Sequence, residues 1–147
     1  AILNGEDVED AIRSMEVSRV VSAVSSLVPV RRRLVAQQQA MGRSHSVVMD
    51  GRDIGTVVFP DAELKLFVTA DADVRAQRRF AEMDAAQPGA VSLAEVKANL
   101  LQRDKEDRER LDSPLLRADD AVVLDNSQVS PDELFDAAMK LVASVNS

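Results

Sequence analysis

The sequence predicts an α/β fold built around a parallel sheet. Three short apolar runs, residues 47–49, 64–68 and 121–124, read as continuous buried strands rather than as half-exposed alternations. Each gives way to a polar residue, Asp50, Thr69 or Asp125. The stretches between and after them carry helix start signals, and strands alternating with helices imply a parallel sheet. In open sheets of that kind ligands bind beyond the carboxyl ends of the strands.

Each element has a local reason. Ile2-Leu3 followed by Asn4-Gly5 is a strand end entering a turn. Ser14 can cap a helix over about 15–27, with Val17, Val20, Val21 and Val24 on its apolar face. Pro29 sits where a first-turn proline is tolerated and opens a second helix through Met41, which Gly42 is expected to stop. Asp71 can cap a helix over about 72–85, and residues 84–91 read as a loop. Ser92 and Glu95 form a capping box with Val91 and Val96 as its hydrophobic staple. Ser130, Glu133, Val129 and Leu134 repeat that arrangement before the last helix, with Pro131 at its first position.

Composition narrows the function. A chain of 147 residues, 46% hydrophobic and 29% charged, has the balance of a folded domain or a large piece of one. Its net charge of −7 argues against sequence-independent binding to nucleic acid or anionic lipid. Arginines nevertheless concentrate at 31–33, 52, 75–79 and 103–110, and such focused basic spots suit a small anionic ligand. The absence of cysteine removes disulfides, thiolate nucleophiles and thiolate metal sites. His45, the single histidine, lies in a polar stretch, and no metal site is expected. No apolar run is long enough to span a membrane, so the expected location is cytoplasmic; no protein partner is inferred.

Three groups of residues can carry chemistry. Asp50-Gly51-Arg52-Asp53-Ile54-Gly55-Thr56 follows a predicted strand; its glycines allow a sharp turn near a ligand. Arg52 presents a planar fork for phosphate oxygens, and Asp53 presents acceptors for an amino or hydroxyl group. The plainer alternative is a turn in which Arg52 and Asp53 pair with each other. The second group is the charged run 103–110. It is either a solvated helix with Asp104–Arg108 and Glu106–Arg110 pairs, or a movable clamp with Arg103, Asp107 and Arg110 on one helical face. The third is Ser22 and Arg31, on two helices joined by the corner at 27–29, which nothing local marks as functional. Arg75, Arg78 and Arg79 either approach a nucleotide from the core or form a solvated face.

Placed in order, these motifs resemble bacterial cytidylate kinases over nearly the whole chain. The likeness is carried by Val48-Met49-Asp50-Gly51-Arg52-Asp53-Ile54-Gly55-Thr56-Val57-Val58-Phe59-Pro60-Asp61-Ala62. Gly5-Glu6-Asp7-Val8 with Ile12-Arg13 and the corner Val17, Ser22, Pro29-Val30-Arg31 extend it upstream. Downstream it runs through Arg103-Asp104, Asp107-Arg108, Arg110 and Ser113-Pro114-Leu115 to Ala118-Asp119-Asp120-Ala121 and Leu124-Asp125. The resemblance implies a P-loop nucleoside monophosphate kinase fold, a parallel core sheet with flanking helices. It implies transfer of the γ-phosphoryl group of ATP to CMP or dCMP, with Mg²⁺. It assigns Ser22, Arg31 and Asp53 to the cytosine, Arg52 and Arg110 to the monophosphate, Asp107 to the ribose hydroxyls and Arg103 to the phosphates near the transferring group.

The same resemblance divides the chain into 1–28, the end of the monophosphate-binding insert, and 29–147, the second half of the core with a lid at about 103–115. It also exposes a departure. None of Gly5, Gly42, Gly51, Gly55 and Gly89 opens the family's phosphate loop ending in Gly-Lys-Ser/Thr, whose lysine and hydroxyl serve ATP and Mg²⁺. With no initiator Met and an apolar pair running directly into a turn, the chain is expected to be a piece of a longer protein. Alone it is expected to lack activity, with the main Mg²⁺ ligands outside it. Two other readings are a related kinase for another nucleotide or small metabolite and a non-catalytic nucleotide-binding module.

Overall fold

A computed structural model describes the chain apart from residues 13, 14, 87, 90, 146 and 147 and the side chains of 10, 15, 16, 18, 19, 22 and 86. The expected Ser14 cap and the Ser22 side chain therefore lie outside the described residues. The fold divides into two compact units, Ala1–Val48 and Met49–Ser147.

The first unit opens with a hairpin of β1 (Ile2–Leu3) and β2 (Glu6–Asp7), antiparallel with Ile2 opposite Asp7. Its two turn residues have positive φ, 52° at Asn4 and 87° at Gly5, which two-residue hairpins require and Asn-Gly tolerates. Three helices follow: α1 (Glu9–Ile12), α2 (Met15–Ser25) and α3 (Val28–Ser44). At the corner, Leu27 is extended and a proline stands in the first turn of α3. Gly42 does not stop α3. One glycine costs a helix only about 1 kcal/mol, and the preceding Gln37–Met41 stretch favours helix. The helix ends instead where the Ser44 hydroxyl donates back to the Met41 carbonyl at 3.1 Å.

In the second unit, residues 51–53 bend into one wide turn over Ile54–Val58. The amides of Val58 and Phe59 donate to carbonyls five residues back, on Asp53 (3.2 Å) and Ile54 (2.7 Å). Such widened turns recur at functional sites. A Cβ on Gly51 would lie 2.9 Å from Ile54 Cγ1, so glycine permits the close approach that starts the turn. Val58, 2% exposed, anchors its far end.

β3 (Leu66–Thr69) and β4 (Val122–Asp125) pair in parallel, with Leu66 opposite Val122 and Thr69 opposite Asp125. The strands begin later than the apolar runs suggested. The Ala121 amide is used in a turn to the Ala118 carbonyl, and Leu64 precedes the ladder. Residues 47–49 join no sheet among the described residues, and extended backbone becomes a strand only with a ladder partner.

α4 (Ala72–Ala86) packs against α5 (Leu93–Glu109), burying Ala76 and Val96. The Asp71 carboxylate accepts from the Asp73 amide at 3.2 Å, as its capping role requires. The Ser92–Glu95 box forms with both reciprocal bonds. Ser130 and Glu133 form the same pair at 2.8 and 3.2 Å before α6 (Pro131–Val145).

Candidate functional site

The wide turn and the end of α5 bring three of the expected site residues together. Arg52, on the bend before the turn, donates from Nε to Asp107 Oδ2 at 2.9 Å. Arg110 Nη2 donates to the other oxygen, Oδ1, of the same carboxylate. One carboxylate thus bridges two guanidinium groups. Asp107 and Arg110 are largely covered, with side chains 18% and 14% exposed, whereas Arg52 is 53% exposed. The partner of Arg52 here is Asp107, which comes from 55 residues away.

Arg110 reaches Asp107 by a route that helical spacing did not foresee. It is the first residue beyond α5 and is extended (φ −61°, ψ 131°), so it does not share a helical face with Arg103 and Asp107. The chain then folds back, and the Leu115 amide donates to the Asp107 carbonyl at 2.7 Å. Ser113, buried at 8% exposure, adopts φ 56° at this reversal, and its hydroxyl donates to Asp112 Oδ1 at 2.8 Å. The reversal holds the Asp107 main chain, and the two arginines hold its carboxylate.

The other charges of the run are used differently. Asp104 accepts a two-pronged contact from Arg75, at 3.2 and 2.7 Å, and Glu106 accepts from Gln102 at 2.8 Å. Neither the Asp104–Arg108 nor the Glu106–Arg110 pair forms among the described residues, because Arg75 and Gln102 take those carboxylates and Arg110 turns to Asp107. Arg75 also donates to the Ala70 carbonyl at 3.1 Å, at the carboxyl end of β3. Arg78 holds the side-chain oxygen and carbonyl of Asn126 at 3.0 and 2.8 Å, at the end of β4. Of the three α4 arginines only Arg79, paired with Glu82 at 3.5 Å, makes a simple surface pair. A cleft of about 360 Å³ between α4 and α5 is lined by Arg75, Leu101, Asp104, Lys105 and Arg108 among others, but by neither Arg52 nor Asp107.

Asp53 is buried at 9% exposure, and its carbonyl starts the wide turn. Arg103 is half-buried on α5, and its side chain makes no ion pair or hydrogen bond among the described residues. Arg31 belongs to the first unit, where its Nη1 donates to the Ser25 carbonyl at 3.2 Å and so meets the negative end of α2. Ser22 lies on α2 in that unit.

Sequence reasoning missed Lys65. Its ammonium, 8% exposed, holds both Asp120 carboxylate oxygens (2.9 and 2.7 Å) and the Pro60 carbonyl, closing the loop behind the wide turn. The lysine hydrogen bond holds the Asp120 carboxyl below the usual range. Asp125 is lowered by the Ser127 hydroxyl and then its amide, an Asx turn that Asp125-Asn126-Ser127 could have signalled. Among the described residues no group of three or more acidic or histidine side chains is placed to hold a metal ion, and no helix is long and apolar enough to cross a membrane.

Comparison with known proteins adds a family. The family model described as cytidylate kinase matches residues 1–144. The cytidylate kinase of Flavobacterium johnsoniae is 54% identical over 144 residues, 97% of this chain and 62% of that protein. That of Bacteroides thetaiotaomicron is 58% identical over 129 residues, 87% of this chain and 56% of that protein. That of Flavobacterium psychrophilum is 50% identical over 143 residues, covering 97% and 63%. The chain spans about three fifths of the length of these relatives.

Proposed function

The chain belongs to the cytidylate kinase family, and from that premise we propose that the complete protein moves the γ-phosphoryl group of ATP to a phosphate oxygen of CMP or dCMP. The observation that carries this reading is the convergence of Arg52 and Arg110 on a single carboxylate, within a chain of that family. Two guanidinium groups held about one oxyanion make a receptor for another, since their forks match phosphate as well as carboxylate. Arg52 and Arg110 hold the acceptor monophosphate, and Asp107 accepts from the ribose hydroxyls. Arg103, without an internal partner, extends toward the phosphates near the transferring group. Ser22, Arg31 and Asp53 read the polar edge of cytosine. The fold is that of P-loop nucleoside monophosphate kinases, with 1–28 closing the monophosphate-binding insert and about 103–115 forming the lid.

A phosphate monoester is already anionic at neutral pH, so this chain needs to supply no strong base. Its contribution is alignment of the acceptor oxygen and neutralisation of charge on the equatorial oxygens. Mg²⁺ would neutralise the ATP phosphates, and the described residues gather no ligand set for it. A cytoplasmic location follows from the nucleotide pool the enzyme would draw on.

Turnover of CMP, dCMP, UMP and AMP by the complete protein tests the proposal. CMP and dCMP should be preferred, and Asp53→Ala should narrow the CMP-to-UMP ratio, because uracil lacks the exocyclic amine. Loss of one charged partner in a buried polar site costs about 1–3 kcal/mol. An unchanged ratio removes Asp53 from the base pocket, and a stronger preference for another nucleotide replaces the substrate assignment.

A further inference from the structure

Asp107 occupies the place between two arginines that the proposed reading gives to a substrate phosphate. Its oxygens are divided between Arg52 Nε and Arg110 Nη2. Asp107 and Arg110 are mostly covered, which strengthens their attraction over that of an exposed pair. The Leu115 amide on the Asp107 carbonyl and the Ser113 reversal keep this carboxylate at the end of α5. Arg52 comes from a separate element and is the more exposed partner, so it is the contact that can exchange.

We infer that Asp107 is an internal stand-in for the substrate phosphate, a latch that joins the end of α5 to the Arg52 bend until an anion of higher charge displaces it. The inference rests on the assignment of Arg52 and Arg110 to phosphate. A phosphate monoester near neutral pH carries close to two negative charges against one for the carboxylate, and so it competes successfully for the two cations. Displacement frees the Asp107 oxygens at the moment a ribose is present to donate to them. Cytidine without phosphate brings no competing charge, so it cannot open the latch. The device thereby links recognition of the sugar to recognition of the phosphate.

The two roles of Asp107 give opposite signs, which makes them separable. Calorimetric titration of the complete protein with inorganic phosphate, and separately with CMP, reads both. Asp107→Asn should bind inorganic phosphate about tenfold more tightly than the wild type, the scale of one exchanged charge-assisted contact. The same variant should bind CMP more weakly, through the ribose. Asp107→Glu keeps the charge and should not gain phosphate affinity. Arg52→Ala should lose affinity for both ligands. If Asp107→Asn is partly unfolded, the rise in Tm per addition of phosphate reads the same quantity and should exceed that of wild type. Unchanged or weaker phosphate binding by Asp107→Asn, with Arg52→Ala still impaired toward CMP, overturns the latch and leaves the phosphate assignment standing. Wild-type affinities in Arg52→Ala overturn both.

Discussion

Two sets of arginines look alike in the sequence and are used in opposite ways. On α4, Arg75 and Arg78 each spend their donors on backbone carbonyls at strand ends and on the side chains of Asp104 and Asn126. Around α5's end, Arg52 Nε and Arg110 Nη2 both donate to one carboxylate. A guanidinium tied to the main chain holds the fold together, because a carbonyl cannot leave. A guanidinium tied to a carboxylate side chain can trade that partner for a ligand oxyanion. The difference separates a frame from a site more sharply than local charge density does.

Substitution should break the two sets differently. The largest expected effect is Arg52→Ala in the complete protein. It should lower kcat/KM for CMP about a hundredfold, roughly two charge-assisted contacts at tenfold each, with Tm close to wild type. Steady-state kinetics with parallel thermal unfolding checks both halves. Arg75→Ala should do the reverse. A partly exposed pair loses strength to solvent, so a destabilisation of about 1–2 kcal/mol is expected, seen as a lower Tm, with KM for CMP little changed. A large change in KM with unaltered Tm would move Arg75 into the site.

The smallest effect belongs to the helix caps, which should leave the arginine site alone. Hydrogen bonds from the Ser92 side chain and then its amide lower the Glu95 pKa; for Glu133 the Ser130 amide leads and the hydroxyl follows. A carboxyl with a lowered folded pKa stabilises above its unfolded value and loses that contribution as pH falls. The Tm gap between wild type and the Glu95→Ala, Glu133→Ala double variant should therefore close as pH drops below about 4.3, the ordinary glutamate value. A gap undiminished at pH 3 would assign the effect to uncharged hydrogen bonding or packing of the glutamate side chains instead.

Local chemistry was legible in the sequence and long-range chemistry was not. The Asn4-Gly5 turn, the Asp71 cap and both capping boxes were readable because donor and acceptor lie within a few residues of each other. Gly42 misled because its helix penalty is smaller than the support around it. The expected strand at 47–49 was read from apolarity alone, which cannot supply a ladder partner. In the site, the residue types at Arg52, Asp107 and Arg110 were readable, but their meeting was not. It depends on the bend before the wide turn and on the extended conformation of Arg110 beyond the helix. Lys65 left no local signal, since its carboxylate partner Asp120 lies 55 residues downstream.

Arg110 either binds an oxyanion by its fork or merely balances charge. Arg110→Lys separates these, because lysine keeps the charge and loses the planar pair of donors. The decisive measurement is kcat and KM for CMP in the complete protein carrying this change, with Tm recorded alongside. A fall in kcat larger than the rise in KM, at near-native Tm, is the expected result for a clamp that tightens on the transferring group. Wild-type kinetics at wild-type Tm would contradict it and return the end of α5 to an ordinary charged helix terminus.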